Sequence, residues 1–214
     1  MHIPDGFVAP QIYLPAYILD ISLLAYSIRR IKRSLNERAI PYLSSVSLLS
    51  FVISSITIPL PGGTSVHGTG IPILSILFGP WVAFVSYSLI LFLQAVLFGE
   101  GGITTFPINS ISMGFVGSFA AFFTYKALSI FKEEVSIVIS SFVSVMLSAL
   151  LIATILGIHP YLFKKADGSP LYFPFGLYIT IPAILVPHIF VGLGEGLLSS
   201  IAIKVLNRRL KVER

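Results

Sequence analysis

Long apolar runs separated by short polar segments constrain the fold of this chain most strongly. Its 214 residues are 55% hydrophobic and 11% charged, and the mean hydropathy is +0.93. Soluble domains carry about 25% charged residues, so this composition predicts an integral membrane protein. A membrane helix needs about 20 apolar residues. The length therefore suits one compact membrane bundle over residues 1–214, with no separate soluble domain.

Seven apolar segments are candidates for membrane helices. Proline and glycine delimit two of them, because the cluster at 59–63 follows the second segment and Gly79-Pro80 divides the third from the fourth. The third is too short to cross a bilayer, and we expect a half-helix after a loop that dips inward. We predict an all-α bundle with spans at about 11–28, 40–60, 70–79, 81–98, 108–131, 135–158 and 177–206.

The distribution of Lys and Arg decides whether residues 70–99 form one span or two, because cytoplasmic loops carry the excess of these residues. Division at Gly79-Pro80 places twelve of the 14 Lys and Arg on one side, leaving only Lys164 and Lys165 on the other. One continuous span would place seven on each side. The division is therefore favoured. It predicts an external N-terminus and a cytoplasmic C-terminus.

Met1 and His2 can form a metal chelate. The α-amine and the His2 amide nitrogen close a five-membered ring on a metal, and the amide nitrogen and the His2 imidazole close a six-membered ring. One in-plane position stays open, and His67 is the natural fourth ligand because it lies in a Gly-rich loop on the predicted outer side. Four nitrogen donors suit Ni(II) or Cu(II) and also serve Co(II). The alternatives are a frayed chain end and an ordinary loop histidine at the membrane surface.

The loop at residues 94–105 is unusually rich in glycine. Three glycines surround Glu100, so we expect close backbone packing, with Glu100 either solvated or orienting a neighbouring group. Gln94 precedes these glycines and is a candidate for supporting the loop. Asn109 is expected either to satisfy backbone groups of the dipping loops or to bond a ligand imidazole. A tight turn followed by a helix-capping Asn is an equally good explanation.

Three ionisable residues lie inside predicted spans, where such groups are functional-site candidates by default. His188 and Glu195 are seven residues apart and share one helix face. Either His188 reaches the metal cavity, or the pair bonds to neighbouring helices; we favour a structural role for Glu195 and leave His188 open. Asp20 has no obvious basic partner. His159, in a predicted outer loop, is expected at the membrane interface.

Several classes of protein are excluded. The chain has no cysteine, so disulfides, thiolate metal sites and cysteine nucleophiles are ruled out. Motifs for zinc proteases, for the serine hydrolase elbow and for the nucleotide-binding loop are missing from the sequence, so ATP-driven transport would require a partner. The basic residues form short clusters between apolar runs, which does not indicate nucleic-acid binding. The N-terminus lacks the features of a signal peptide.

The chain resembles the CbiM/NikM membrane components, the substrate-capture subunits of energy-coupling-factor (ECF) cobalt and nickel transporters. The resemblance extends over nearly the whole chain. It departs where family members usually have Gly-Ala-Asn and this chain has Pro107-Ile108-Asn109, which leaves the shape of that loop open although Asn109 is retained. It rests on Met-His-Ile-Pro-Asp-Gly at 1–6, Ser-Val-His at 65–67, the loop at 94–105, and Pro-His-Ile-Phe-Val-Gly-Leu-Gly-Glu-Gly at 187–196.

This resemblance implies seven helices in a prokaryotic plasma membrane and an N-terminal loop drawn into the core. There the amine of Met1, the amide and imidazole of His2 and the imidazole of His67 would bind Co(II) or Ni(II) as transported substrate, with no catalytic cofactor. The implied partners are a transmembrane coupling subunit, ATPase subunits and a small accessory membrane protein. Cobalt and nickel are not distinguished by these ligands.

Two other functions compete with metal capture. A capture subunit for an organic micronutrient such as a vitamin would have an aromatic-lined pocket and would not need His2 or His67. An intramembrane enzyme using His188 and Glu195 would turn over substrate as an isolated chain. No nucleophile or metal-bound water accompanies that pair in the sequence, so the enzyme is the weaker alternative.

Overall fold

A computed structural model describes residues 1–32, 39–60 and 64–212. This part of the chain contains seven helices and one short β-hairpin. The helices are α1 (Pro10–Ile31), α2 (Ile40–Ser55), α3 (Ile71–Phe78), α4 (Pro80–Phe98), α5 (Phe106–Ala127), α6 (Glu133–Leu162) and α7 (Leu177–Val212), and the strands are β1 (Ile58–Leu60) and β2 (Thr64–Val66).

The predicted all-α membrane bundle is confirmed. Five helices are long and apolar enough to cross a membrane, namely α1, α4, α5, α6 and the part of α7 up to Leu206. Helix α2 has 16 residues and α3 has eight. Most helix ends lie within a few residues of the predicted positions; α5 ends four residues earlier and α7 six residues later. Arg33, Arg38, Arg214 and the breaker residues at 61–63 lie outside the described residues.

The division between the third and fourth spans is also confirmed. Gly79 has φ +85°, which L side chains rarely adopt, and it separates α3 from α4. Pro80 begins α4, where its missing N–H costs nothing. Helix α3 is therefore a true half-helix, and most of its residues are buried against the surrounding helices. The chain that leads into it carries His67.

The prediction that the second span continues to Leu60 is wrong. Helix α2 ends at Ser55, and the next residues pair in an antiparallel hairpin with Ile58 opposite Val66 and Pro59 opposite Ser65. Two properties of these residues favour a β-hairpin over a continued helix. Proline cannot donate a helical hydrogen bond, and β-branched residues suit an extended backbone. The hairpin returns the chain towards the bundle, so that His67 is buried.

Helix α5 contains a π-helical segment over Ser110–Gly117, a feature that the sequence pattern does not reveal. This segment packs on α4, where a side chain added at Gly114 would lie 3.1 Å from Phe84. It also packs on α6, whose Ser144 hydroxyl donates to the Gly117 carbonyl at 2.7 Å. The π-helical segment therefore sits in the middle of the buried core.

The two ends of the bundle differ in character. At one end, Lys204 of α7 bonds Glu134 at the start of α6 at 2.7 Å, and the Arg30 guanidinium lies 5.3 Å from the Trp81 ring. At the other end lie the N-terminal residues 1–9, the end of the β-hairpin, the 99–105 loop and the last turns of α6. The N-terminus and His67 therefore share one end, as the predicted topology requires.

Helices α6 and α7 approach each other closely at Gly196, and this close packing is the basis of the first prediction. A side chain added at Gly196 would lie 3.0 Å from the Val138 backbone, whereas one added at Gly194 meets nothing within 4 Å. We expect Gly196→Leu to lower the free energy of unfolding by about 1–3 kcal/mol through overpacking. Gly194→Leu is the matched control and should be neutral or slightly stabilising. Thermal unfolding of detergent-purified protein measures both, and equal midpoints would refute the predicted packing.

Candidate metal centre

The N-terminal segment is inserted into the protein and is not a frayed end. Met1 is 1% exposed, His2 4% and Ile3 0%. This segment has no helical or strand partner of its own until α1 begins at Pro10, so its backbone polar groups need partners from elsewhere. The sequence elements that supply those partners define the site.

Asn109 supplies the central pair of hydrogen bonds to this segment. Its side-chain oxygen accepts from the Ile3 N–H at 3.0 Å, and its side-chain nitrogen donates to the Ile3 carbonyl at 3.1 Å. The Thr105 hydroxyl donates to the same carbonyl at 2.5 Å. Of the three roles considered for Asn109, namely satisfying loop backbone, bonding a ligand imidazole and capping a helix, these hydrogen bonds match the first.

Asp5 ties the N-terminal segment to the glycine-rich loop. Its carboxylate accepts from the backbone N–H groups of Ile103 at 3.1 Å and Thr104 at 2.8 Å, and from the Thr104 hydroxyl. Gly102 lies against Asp5 so closely that any side chain there would collide with it. The glycines of this loop therefore allow the approach of the N-terminal segment.

His159 holds the last residue of the segment, a role that sequence reasoning missed. The expectation of an interfacial loop histidine is wrong, because α6 continues to Leu162 and His159 is fully buried. Its Nδ1 lies 2.5 Å from the Ile155 carbonyl, so Nε2 accepts from the Ala9 N–H at 3.2 Å. The available signal was an ionisable residue at the end of a long apolar run.

The β-hairpin brings His67 to the N-terminus. The Met1 amine donates to the carbonyl of Ser65, the middle residue of β2. The rings of His2 and His67 stack with centroids 4.4 Å apart and planes inclined by 20°. His67 Nδ1 donates to the Gly68 carbonyl at 2.7 Å, and this bond directs the lone pair of Nε2 into the site.

Several buried imidazole nitrogens lack hydrogen bonds. Within the described residues, both ring nitrogens of His2, Nε2 of His67 and Nε2 of His188 have no partner. Buried polar atoms are normally satisfied, and three of these four nitrogens belong to the two stacked imidazoles beside the Met1 amine, where they are available as metal donors. No three His, Asp or Glu side chains come together as a metal site in this part of the chain. A metal at this place would therefore need main-chain nitrogens as well.

The electrostatics of the site keep these donors uncharged at neutral pH. Burial lowers the pKa of the Met1 amine to about 4, although the Glu100 carboxylate opposes this. Burial, together with the charge of the amine, lowers the pKa of His2 to about 3. The same causes hold the pKa of His67 well below its usual range. Neutral amine and imidazole nitrogens have free lone pairs, which is the state that binds a metal.

Gln94 and Glu100 make hydrogen bonds to α2 and to the chain that follows it. The Gln94 amide donates to the Ser54 hydroxyl at 2.9 Å, tying α4 to α2. The Glu100 carboxylate accepts from the Thr57 hydroxyl at 2.9 Å, just before β1. Both residues therefore connect the glycine-rich loop or α4 to the chain that carries His67.

His188 and Glu195 have separate surroundings. Glu195 accepts from the backbone N–H groups of Thr69 and Gly70, both at 2.6 Å, and so caps the start of α3. His188 Nδ1 lies 2.6 Å from the Ile184 carbonyl, and the imidazole of His188 is near enough to His67 to add to the burial that lowers the pKa of His67. The structure therefore brings His188 near the site and places Glu195 under the loop that follows His67.

Asp20 lies in the bundle interior and is 1% exposed. It accepts from the Ser110 hydroxyl at 2.8 Å, and Ser110 lies 2.7 Å from the Ser88 hydroxyl. This polar chain links α1, α5 and α4. Asp20 therefore finds hydroxyl partners where the sequence suggested no basic one.

Comparison with known proteins identifies the family. Residues 2–211 match the CbiM family, described as the cobalt uptake substrate-specific transmembrane region. The chain belongs to the CbiM family. This family is a component of transport systems and not a known enzyme family. The apolar helices and the family together make the chain a multi-pass protein of the prokaryotic plasma membrane.

Relatives of this CbiM-family chain include transport proteins of bacteria and archaea. The fused nickel transport protein NikMN of Rhodobacter capsulatus is 34% identical over 197 residues, which are 89% of this chain and 57% of that protein. The chain thus spans little more than half of that relative. A putative metal transport protein of Methanocaldococcus jannaschii is 32% identical over 194 residues, covering 88% of this chain and 83% of that protein.

The fold matches a solved crystal structure described as a truncated transition metal transporter. The TM-score is 0.94 at 34% identity, and the match covers 98% of this chain and 99% of the other. The overall helical architecture of this chain is therefore shared with a solved structure described as a transition metal transporter.

The geometry of the segment generates the second prediction. Asn109→Asp keeps the acceptor for the Ile3 N–H but replaces the donor to the Ile3 carbonyl by a carboxylate oxygen. Thr105 still bonds that carbonyl, so the cost is the lost hydrogen bond, about 0.5–1.5 kcal/mol, plus the repulsion between two buried acceptors. We expect an amine-specific reagent to label the buried Met1 amine about tenfold or more faster in this variant. Mass spectrometry of the N-terminal peptide measures the rate.

Thr154→Val is the matched control, because the exposed Thr154 hydroxyl bonds only the Leu150 carbonyl of its own helix. It should label at the wild-type rate. Unchanged labelling of Asn109→Asp would show that this pair of hydrogen bonds does not hold the segment in place.

Proposed function

We propose that this CbiM-family chain is the substrate-capture subunit of an ATP-driven ECF transporter that imports Co(II) or Ni(II). The metal is held by the Met1 amine, the amide and Nδ1 of His2, and Nε2 of His67. The observation that carries this proposal is the set of unpartnered imidazole nitrogens on His2 and His67, next to a buried terminal amine.

The donor set accounts for selectivity by its chemistry. The amine, amide and Nδ1 belong to consecutive residues and form fused five- and six-membered chelate rings, so only His67 must be positioned by the fold. Nitrogen donors favour Ni(II), Cu(II) and Co(II). Mg(II) and Ca(II) prefer oxygen and are poorly bound by such a set. The family description names cobalt and the Rhodobacter relative is named for nickel, so both ions remain within the proposal.

The partners proposed for this subunit are those that the family resemblance implies. It contains no nucleotide-binding loop, so ATPase subunits and a transmembrane coupling subunit would supply the energy. A small accessory membrane protein is a further proposed partner. We also propose that the N-terminus faces outside and the C-terminus the cytoplasm, because the excess of Lys and Arg marks the cytoplasmic side.

The competing functions have less support. One cavity of about 450 Å³ between α2 and α4 has Phe51 as its one aromatic lining residue and includes none of Met1, His2 and His67. That does not match the aromatic-lined pocket expected for an organic micronutrient. Both oxygens of Glu195 accept hydrogen bonds from Thr69 and Gly70. Within the described residues His188 makes no bond to Glu195, so the two do not form an acid–base pair in this structure.

The third prediction tests the terminal chelate. Adding Gly-Ser before Met1 moves the amine and introduces residues into a buried site, and His2→Ala or His67→Ala each remove one imidazole. We expect each change to weaken Ni(II) or Co(II) binding by more than about 100-fold, because loss of even an outer partner of a ligand usually costs 10- to 100-fold. Competition titration of the purified chain with a coloured chelator measures the affinity.

The matched control is the same Gly-Ser addition after Arg214, at the other end of the chain. It should leave the affinity unchanged. Tight binding by the chain extended at Met1 would rule out the amine as a ligand.

The fourth prediction concerns pH. Since the amine and both imidazoles are already uncharged near neutral pH, only the His2 amide still has a proton to lose when the metal binds. Affinity should therefore rise about tenfold per pH unit between pH 6 and 8, corresponding to one proton released per metal. A solvent-exposed Met-His-Ile peptide is the control and should show a steeper rise, because its amine also deprotonates. A steeper rise for the protein would contradict the proposed burial of the donors.

A further inference from the structure

Glu100 lies between the two parts of the chain that carry the proposed metal donors. Its Oε1 accepts from Thr57, at the entrance to the hairpin that leads to His67. Its neighbour Gly101 lies against His2, since a side chain added at Gly101 would be 3.4 Å from His2 Cβ. The Glu100 backbone N–H donates to the Gln94 carbonyl at 3.2 Å and so fixes the loop to the end of α4.

The two carboxylate oxygens of Glu100 differ in their hydrogen bonding within the described structure. Oε2 is buried and lacks a hydrogen-bond partner among the described residues. The other carboxylates at this end of the bundle are satisfied: Asp5 accepts from Ile103 and Thr104, and Glu195 accepts from the start of α3. Glu100 is also the carboxylate whose field acts on the Met1 amine. A carboxylate with one unpaired oxygen therefore lies next to the loop residue that contacts His2, and near enough to the Met1 amine to act on its charge.

The net charge of a metal complex at this site indicates a role for the Glu100 carboxylate. A divalent ion brings two positive charges, the deprotonated His2 amide brings one negative charge, and amine and imidazole donors bring none. The complex alone would leave one positive charge in a buried site, and burying an uncompensated charge is strongly unfavourable. One carboxylate beside it makes the site neutral.

We propose that Glu100 is the counter-charge of the bound metal and a determinant of selectivity for divalent ions. The inference rests on the function proposed above. Glu100 does not ligate the metal; its carboxylate balances the complex of ion and amidate. A monovalent ion would leave the site with a net negative charge and a trivalent ion with a net positive charge, so the neutral combination favours the divalent state.

The test is Glu100→Gln, which keeps an oxygen for Thr57 and removes the charge. We expect Ni(II) affinity to fall about 10- to 100-fold, the range usual for partners just outside the ligands. Calorimetry in two buffers should show the same number of protons released per metal as wild type. Thermal stability of the metal-free protein should change little, because the hydrogen bond with Thr57 is kept.

Two control variants separate charge from structure. Glu134→Gln removes the same charge from an exposed side chain at the opposite end of α6, roughly 35 Å away by helix rise, and should bind like wild type. Thr57→Val removes the hydrogen bond but keeps the Glu100 charge, and should retain most of the affinity.

The inference is overturned by wild-type affinity in Glu100→Gln. It is also overturned if Thr57→Val loses as much Ni(II) affinity as Glu100→Gln, because the hydrogen bond to the hairpin would then be the cause. A change in the number of protons released by Glu100→Gln would overturn it as well, because Glu100 would then be a proton acceptor. These outcomes are distinct from failure of the proposed function, because in that case His2→Ala would bind like wild type.

Discussion

The structure depends on burying an irregular backbone segment inside a membrane bundle. Unpaired backbone groups are costly away from water, so residues 1–9 can be inserted only if the surrounding elements satisfy them. Asn109, Thr105 and His159 bond the backbone of Ile3 and Ala9, and the carbonyl of Ser65 accepts from the terminal amine. Because these partners come from α5, α6 and the hairpin, the fold and the site are specified together.

The π-helical segment of α5 is placed where this constraint is strongest. It begins at Ser110, directly after the residue that holds Ile3. Ser110 itself bonds Asp20 of α1, so two consecutive residues tie both the N-terminal segment and the helix that follows it. Departures from α-helical geometry often occur at functional sites. Here two neighbouring residues of one helix bond two different parts of the same N-terminal region.

Sequence patterns were sufficient for the gross architecture because it is set by hydropathy and charge. The separation of α3 from α4 followed from Gly79-Pro80 and from the distribution of Lys and Arg, and both the split and the seven helices are observed. The β-hairpin was missed because Ile56 to Leu60 is as apolar as the end of a membrane helix. The π-helical segment was missed because hydrophobic periodicity does not resolve one extra residue per turn. His159 was misplaced because α6 continues through Pro160.

The residues of the candidate site also fall into two groups, those that the sequence indicated and those that it did not. Met1, His2 and His67 could be predicted as metal donors because their donor chemistry is visible in the sequence, and the structure brings them together. The bond from Asn109 to Ile3 is a long-range contact that local patterns do not specify. The central claim is that four nitrogens, one of them the terminal amine, hold the metal. Visible absorption during Ni(II) titration of the untagged chain tests it most directly. The account predicts the band of diamagnetic square-planar nickel, saturating at one ion per chain; the weak absorption of paramagnetic octahedral nickel would contradict it.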